Sequence, residues 1–288
     1  MGDLAILTKG DAPESPLDRR LRVLRSSGFG VRALSAMALM PVAVIGVLWG
    51  LGPFSILTFA LCAVMLFEWT RMSAPSSARS AALVLGVGGA GGILWASSGS
   101  LAPAGLTVAG TSAAAWLWIR SRGESAPGLA AAGSGYIAFA CCTIVWIRGQ
   151  AEGELIVLTL MAAVWAADTG AYIVGTLAGG PRFLPQFSPN KTWAGVAGGM
   201  AAAAATAYVA ALFWFPSLDP AGLAAIGAAA AFAAQLGDAF ESAMKRRFGV
   251  KDSGKLIPGH GGALDRLDGL ILATLALAPI IHVYVSAG

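Results

Sequence analysis

The sequence predicts an all-α, polytopic integral membrane protein of nine spans with its N-terminus in the cytoplasm. Three observations carry that expectation. Of 288 residues, 57% are hydrophobic and only 12% charged, and the mean hydropathy is +0.72. An ordinary soluble domain carries about twice that charged fraction. Nine mostly apolar stretches approach the roughly 20 residues that a spanning helix needs: 33–50, 54–70, 80–97, 103–119, 128–147, 154–178, 192–215, 220–242 and 268–286. Finally, the basic residues alternate from loop to loop. One set of alternate loops carries 18 of the 19 Lys and Arg residues, and the opposite set carries only Arg148. Cytoplasmic loops hold the excess of positive charge, so this alternation puts the N-terminus inside and the C-terminus outside.

The spans fall into three regions. Residues 1–32 form a basic N-terminal segment with Lys9, Arg19, Arg20, Arg22, Arg25 and Arg32. Its charge either sets topology or lies along anionic lipid as an amphipathic helix. It lacks the pattern of a cleavable signal peptide, because the first apolar run starts late and another follows directly. Residues 33–150 are N-terminal spans, and 151–288 form the C-terminal region that carries the chemistry. Cys62, Cys141 and Cys142 lie in apolar runs and read as small core residues. Trp95, Trp116, Trp118 and Trp146 fall near span ends, as interfacial tryptophans do.

Several motif-like strings are set aside on physical grounds. Gly86, Gly88 and Gly91 spell G-x-G-x-x-G, but inside a hydrophobic span with no preceding strand, so helix packing explains them better than a dinucleotide. Gly195 and Gly199 form G-x-x-x-G with the same explanation. Residues 249–255 approach a phosphate-binding loop, yet Leu256 stands where a metal-binding hydroxyl is required. His282, alone in the last span, reads as packed or interfacial.

The informative charges lie at 238–268, where 11 charged residues fall. A solvated loop would account for some of them. Carboxylates continue into the flanking spans, however, where polar groups are costly. Asp238, Glu241, Ser242 and Lys245 repeat at i, i+3, i+4 and i+7, which places them on one helix face. Asp265 and Asp268, at i and i+3, open the last span. Hard oxygen ligands in a mixed acid–base setting suit Mg²⁺, which favours one or two carboxylates together with substrate phosphates. In Pro258 to Gly262 three glycines surround His260, and such a loop can bring N–H groups close to phosphate. Acids for a metal beside Lys245, Arg246, Lys251, Lys255 and Arg266 point to phosphoryl or nucleotidyl transfer. Upstream, Asp168 lies within a span. Ser188, Lys191 and Thr192 follow in the next cytoplasmic loop, where the hydroxyls either cap a helix or meet substrate.

These residues resemble the signature of the phosphatidate cytidylyltransferase family, the CDP-diacylglycerol synthases. The resemblance runs through Ser242 to Arg246, Lys251-Asp252, Pro258 to Gly262 and Leu264 to Asp268. It is joined by Gly237-Asp238, by Asp168 to Tyr172 and by Ser188 to Thr192, so that it covers about 165–270. Ala194, Thr176 and Gly269 depart from the family's usual residues. The resemblance implies a Mg²⁺-dependent transfer of CMP from CTP to phosphatidic acid, releasing pyrophosphate at the cytoplasmic face of the inner membrane. It implies metal binding by Asp238, Asp265 and Asp268, with Lys245 and Lys191 completing the catalytic set. Ser188, Lys191, Thr192, Ser242, Lys245, Arg246, Lys251, His260, Gly261, Gly262, Arg266 and Asp168 would line the substrate site. Partners would be CTP, phosphatidic acid and the bilayer, without nucleic acid; a homodimer is compatible with this reading. A CTP-dependent lipid kinase is the alternative enzyme, distinguished by release of CDP. A cation transporter is disfavoured by the basic residues beside the acids and by the lack of an inverted repeat.

Overall fold

The computed structural model describes residues 40–254 and 261–287. Its helices run in chain order: α1 (40–48), α2 (Leu51–Ser73), α3 (Ala78–Ser97), α4 (Leu101–Ser121), α5 (Pro127–Arg148), α6 (Gly153–Ala178), α7 (Trp193–Trp214), α8 (Pro220–Arg247) and α9 (Leu264–Ala287). A short 3₁₀ turn, Pro75–Ser77, joins α2 to α3. Among the described residues no strand forms; one antiparallel bridge, Arg182 to Thr192, closes the α6–α7 connection. The chain is a multi-pass membrane protein, all-helical as expected.

Seven of the described helices are long and apolar enough to cross a membrane: α2, α3, α5, α6, α7, α8 and α9. The expected nine is therefore met only in part. Helix α4 has 21 residues, but Pro103, Thr107, Thr111 and Ser112 dilute its apolar run. The basic segment 1–32 and the start of the first expected span lie outside the described residues. Helix ends also differ from the hydropathy boundaries. Helix α8 continues through Arg247 and α9 begins at Leu264, because backbone hydrogen bonding continues after the apolar run stops. Lys245 and Asp265 therefore project from helices and not from a loop.

Local chemistry fixes the starts of the helices. Pro127 and Pro220 occupy first-turn positions, where a missing N–H costs nothing. Asp219 caps α8 by accepting from Ala221 and Gly222 N–H at 3.3 and 2.8 Å. Thr192 caps α7 by accepting from Gly195 N–H at 3.1 Å. Between α6 and α7 the backbones meet closely. A Cβ at Gly195 or Gly199 would lie 2.9 or 2.8 Å from the carbonyl oxygens of Ala171 and Ala167, which bears out the packing role of that pair. Gly88 and Gly91 likewise face Thr111 and Thr107 of α4. The three cysteines are buried and unpaired. His282 is exposed, its ring 6.0 Å from that of Trp146.

The helices pack as neighbours, with α6 on α7, α7 on α8, α8 on α9, and α9 against α5. Trp69 of α2 ties the two halves together. Its Nε1 donates to the Ala130 carbonyl at 3.0 Å, and its ring packs on Phe240 and Phe248 at either side of the α8 C-terminus.

Candidate active site

The ends of α6 and α8 and the start of α9 gather the polar residues. At a rise of about 1.5 Å per residue, Asp238 lies about 13 Å along α8 from Arg247. Asp168 lies about 15 Å from the end of α6. Helices α8 and α9 approach closely at Gly237 and Gly269. A Cβ at Gly237 would stand 2.6 Å from the Asp268 carbonyl oxygen, and one at Gly269 would stand 2.9 Å from Asp238 Oδ1. Glycine on each helix thus lets Asp238 and Asp268 face the same space. Gly269, one of the departures from the family pattern, sits at that crossing.

Two lysines organise the acids. Lys191 Nζ reaches Asp238 Oδ2 at 2.7 Å, both side chains being 26% exposed. The α6–α7 connection makes this reach geometrically accessible. Phe183 N–H donates to the Lys191 carbonyl at 2.9 Å, and the Thr192 cap fixes the next residue. Lys245 Nζ donates to Asp265 Oδ1 at 2.6 Å and to Glu241 Oε2 at 3.1 Å, with all three side chains nearly enclosed. Asp265 Oδ2 in turn accepts from Gly262 N–H at 2.8 Å, from Ser253 N–H at 2.9 Å and from Ser253 Oγ at 2.9 Å. Gly261 has φ 84°, a left-handed conformation that favours glycine, and its missing Cβ would lie 2.6 Å from Asp265 Oδ2.

Between the two lysine pairs the charge is unbalanced. Asp268 stands within electrostatic range of Asp238 and beside Glu241. Glu241 Oε1 is buried with no hydrogen-bond partner. Asp168, exposed on α6, senses Asp238, Lys191 and Arg266. Five carboxylates therefore face three basic side chains, leaving an excess of negative charge. Among the described residues no three His, Cys, Asp or Glu side chains already stand as a cage for an ion. Asp238 and Asp265, expected to serve one metal, are here each held by its own lysine.

The structure thus brings together Asp168, Lys191, Asp238, Lys245, Asp265, Asp268 and Gly262. Arg266 is exposed at the rim and Ser242 half-buried on α8. Arg246 and Lys251 are exposed. The Thr192 hydroxyl is buried as a cap, and Ser188 stays in the connection, its carbonyl accepting from Lys191 N–H at 3.4 Å. His260 and Lys255 lie outside the described residues. An apolar cavity of about 260 Å³ lies at the other end of α6–α9 between Ile156, Phe215, Leu223 and Leu277. Its one acid, Asp219, is used to cap α8, so this cavity offers no convergent reactive groups.

Sequence reasoning missed Glu68 and Tyr136, and it left Ser253 without a site role. Glu68, on α2, is 5% exposed and accepts from Ala263 N–H at 3.0 Å and Leu264 N–H at 2.9 Å. It is the one acidic residue between Leu51 and Gly123, a signal that was available because a carboxylate within a span is rarely idle. Tyr136 of α5 borders the same acids, within electrostatic range of Asp268, Asp238 and Glu241.

Fold and site together define a helical membrane protein whose charged cluster is built from the ends of its spans. The Cytidylyltransferase family model matches residues 30–286, and the chain belongs to that family. The match extends beyond the signature region into the N-terminal helices. The chain is 37% identical over 233 residues to a phosphatidate cytidylyltransferase of Brucella suis biovar 1 (strain 1330), covering 78% of this chain and 82% of the relative. It is 41% identical over 126 residues to the phosphatidate cytidylyltransferase of Haemophilus influenzae (42% of this chain, 44% of the relative). With that of Staphylococcus saprophyticus the identity is 43% over 119 residues (41% and 46%).

Proposed function

We propose that this chain is a CTP:phosphatidate cytidylyltransferase, joining CTP and phosphatidic acid into CDP-diacylglycerol and pyrophosphate. The observation that carries the reading is the paired arrangement of Lys191–Asp238 and Lys245–Asp265 at one end of membrane helices. Named relatives support the substrate pair.

The reaction joins two polyanions. A phosphate oxygen of phosphatidic acid attacks the α-phosphorus of CTP, and the bond from that phosphorus to the pyrophosphate oxygen breaks. The nucleophile is already anionic, so no strong base is required. What the protein must supply is positive charge in a water-poor place. Lys191 and Lys245 each exchange a carboxylate for a substrate phosphate, and Arg266 adds charge at the rim. The acyl chains stay among the helices while CTP enters from the aqueous side.

Mg²⁺ fits the acids this exchange would free. The excess of carboxylates and the orphaned Glu241 Oε1 both favour a hard cation. Asp238 and Asp268 would hold it, joined by Asp265 once Lys245 turns to phosphate. The ion would supply charge neutralisation on the phosphates. We further assign α4 and the first expected span, 33–50, as membrane-crossing, giving nine. The N-terminus and this site then lie on the cytoplasmic face of the inner membrane, as the distribution of Lys and Arg favours.

Purified protein given CTP and phosphatidic acid tests the reading. Pyrophosphate release dependent on both substrates and on Mg²⁺ is expected. Release of CDP would replace the transferase with a lipid kinase.

A further inference from the structure

We propose that Glu68 of α2 is a positioning residue for cytidylyl transfer, holding Ser253 and the start of α9 so that Asp265 is correctly set. The proposal rests on the function assigned above. A chain of contacts joins Glu68 to Asp265. The first N–H groups of a helix have no partner within it and need an outside acceptor. For α9, Glu68 supplies that acceptor from a helix nearly 200 residues away in sequence, with Oε1 on Ala263 N–H and Oε2 on Leu264 N–H. Oε2 also lies 3.3 Å from Ser253 Oγ, the same hydroxyl that donates to Asp265 at 2.9 Å. Ser253 therefore links the two carboxylates.

The surroundings are shaped to the Glu68 side chain. A Cβ on Gly262 would stand 2.5 Å from both of its oxygens, and one on Gly254 would collide with Oε1. Both glycines leave room for the carboxylate between the Ser253–Gly254 and Gly262–Ala263 backbone segments. Among the described residues no Lys or Arg pairs with Glu68, so N–H dipoles and the positive end of α9 are what offset its charge. A carboxylate this enclosed, 5% exposed, would be poorly suited to a merely packing position. Glu68 holds Ser253 through its hydroxyl and the residue after Gly262 through its N–H, and Ser253 and Gly262 supply all three donors to Asp265 Oδ2. Losing Glu68 lets Asp265, and with it Lys245, leave the geometry that the reaction uses.

The test is a double-mutant cycle on the full-length enzyme, with kcat and KM read from CDP-diacylglycerol formation. Glu68→Gln keeps the shape but has one acceptor oxygen, so one α9 N–H must face another donor. Glu68→Gln and Ser253→Ala should each lower kcat about 10- to 100-fold, the usual range for groups that orient a reactive side chain. KM for CTP and phosphatidic acid should stay within about threefold. The double variant should be no more than about threefold below the worse single, because both act through Asp265. A general loss of folding would multiply the two effects, and that outcome overturns the proposal. So does a Glu68→Gln enzyme within about threefold of wild type. If Glu68→Gln is not recovered folded, Ser253→Ala alone decides, since it leaves α2 untouched; activity within about threefold of wild type overturns the link. A wild-type protein that makes no CDP-diacylglycerol would instead remove the functional reading on which the proposal stands.

Discussion

Lys191 and Asp238, 47 positions apart, meet at 2.7 Å across the space between the α6–α7 connection and the last third of α8. The pair is partly open, at 26% exposure on each side. It joins a lysine that precedes one helix to an acid well inside another. Lys245, in contrast, is 14% exposed and serves two acids at once. The lysines consequently carry different burdens, and their removal should have different effects.

Lys191→Ala should cut kcat/KM by about two orders of magnitude, or about 3 kcal/mol of transition-state stabilisation. The protein should remain folded, because Asp238 can be solvated at its exposed side. Steady-state kinetics beside a thermal unfolding curve in detergent would check this. Unchanged kinetics for both substrates would remove Lys191 from the site.

Lys245→Ala should lose stability as well as activity. It leaves Glu241 and Asp265 enclosed without their cation, and breaking a buried pair in this way costs about 3 kcal/mol or more. A drop in the unfolding midpoint larger than that of Lys191→Ala is the expected result. Equal midpoints would show that the enclosed pair adds no more than the open one.

The helix crossing is testable through its glycines. Gly237→Ala places a Cβ 2.6 Å from the Asp268 carbonyl oxygen, against backbone that cannot rotate away. The α8–α9 spacing must widen, at a cost of about 1–3 kcal/mol. Asp238 and Asp268 then separate, so activity should fall more steeply than stability. Wild-type turnover in this variant would contradict the need for close approach.

Much of the fold was legible because hydropathy alone reports burial in lipid. The glycine pair 195/199 could be read as packing, and the shared face of Asp238, Glu241 and Lys245 followed from helical spacing. The pairing of partners was not legible. Nothing in the local sequence says that Lys191 seeks Asp238 while Lys245 seeks Asp265, since both lysines lie near several acids. Asp265 read as a metal ligand, whereas its four accepted hydrogen bonds also tie Ser253, Gly262 and Lys245 to one carboxylate. Glu68 escaped because its partners are 185 to 196 positions away. Only tertiary packing brings α2 beside the start of α9. Helix ends were misplaced at 247 and 264 because charged residues can continue a helix whose apolar run has ended.

Orientation can be read by cysteine labelling in a background without Cys62, Cys141 and Cys142. Ser253 is unsuitable as a reporter, being 4% exposed and hydrogen-bonded to Asp265. Asp252 and Ser217 are exposed on the connections at opposite ends of α8. A cysteine at 252 should react only from the cytoplasmic side, and one at 217 only from outside. Labelling of position 252 in intact cells by an impermeant reagent would overturn the orientation.

Under the proposed function, the acid–lysine cluster moves a cytidylyl group from CTP to a lipid phosphate. Following the two ends of CTP separately tests it most directly. Wild-type protein in phosphatidic acid micelles, given CTP labelled at the α-phosphorus, should place the label in a lipid-soluble product. Label at the γ-phosphorus should appear in pyrophosphate. Asp238→Asn should reduce both signals together by at least about two orders of magnitude. Label from the γ-position in the lipid, or full α-label transfer by Asp238→Asn, would contradict the account.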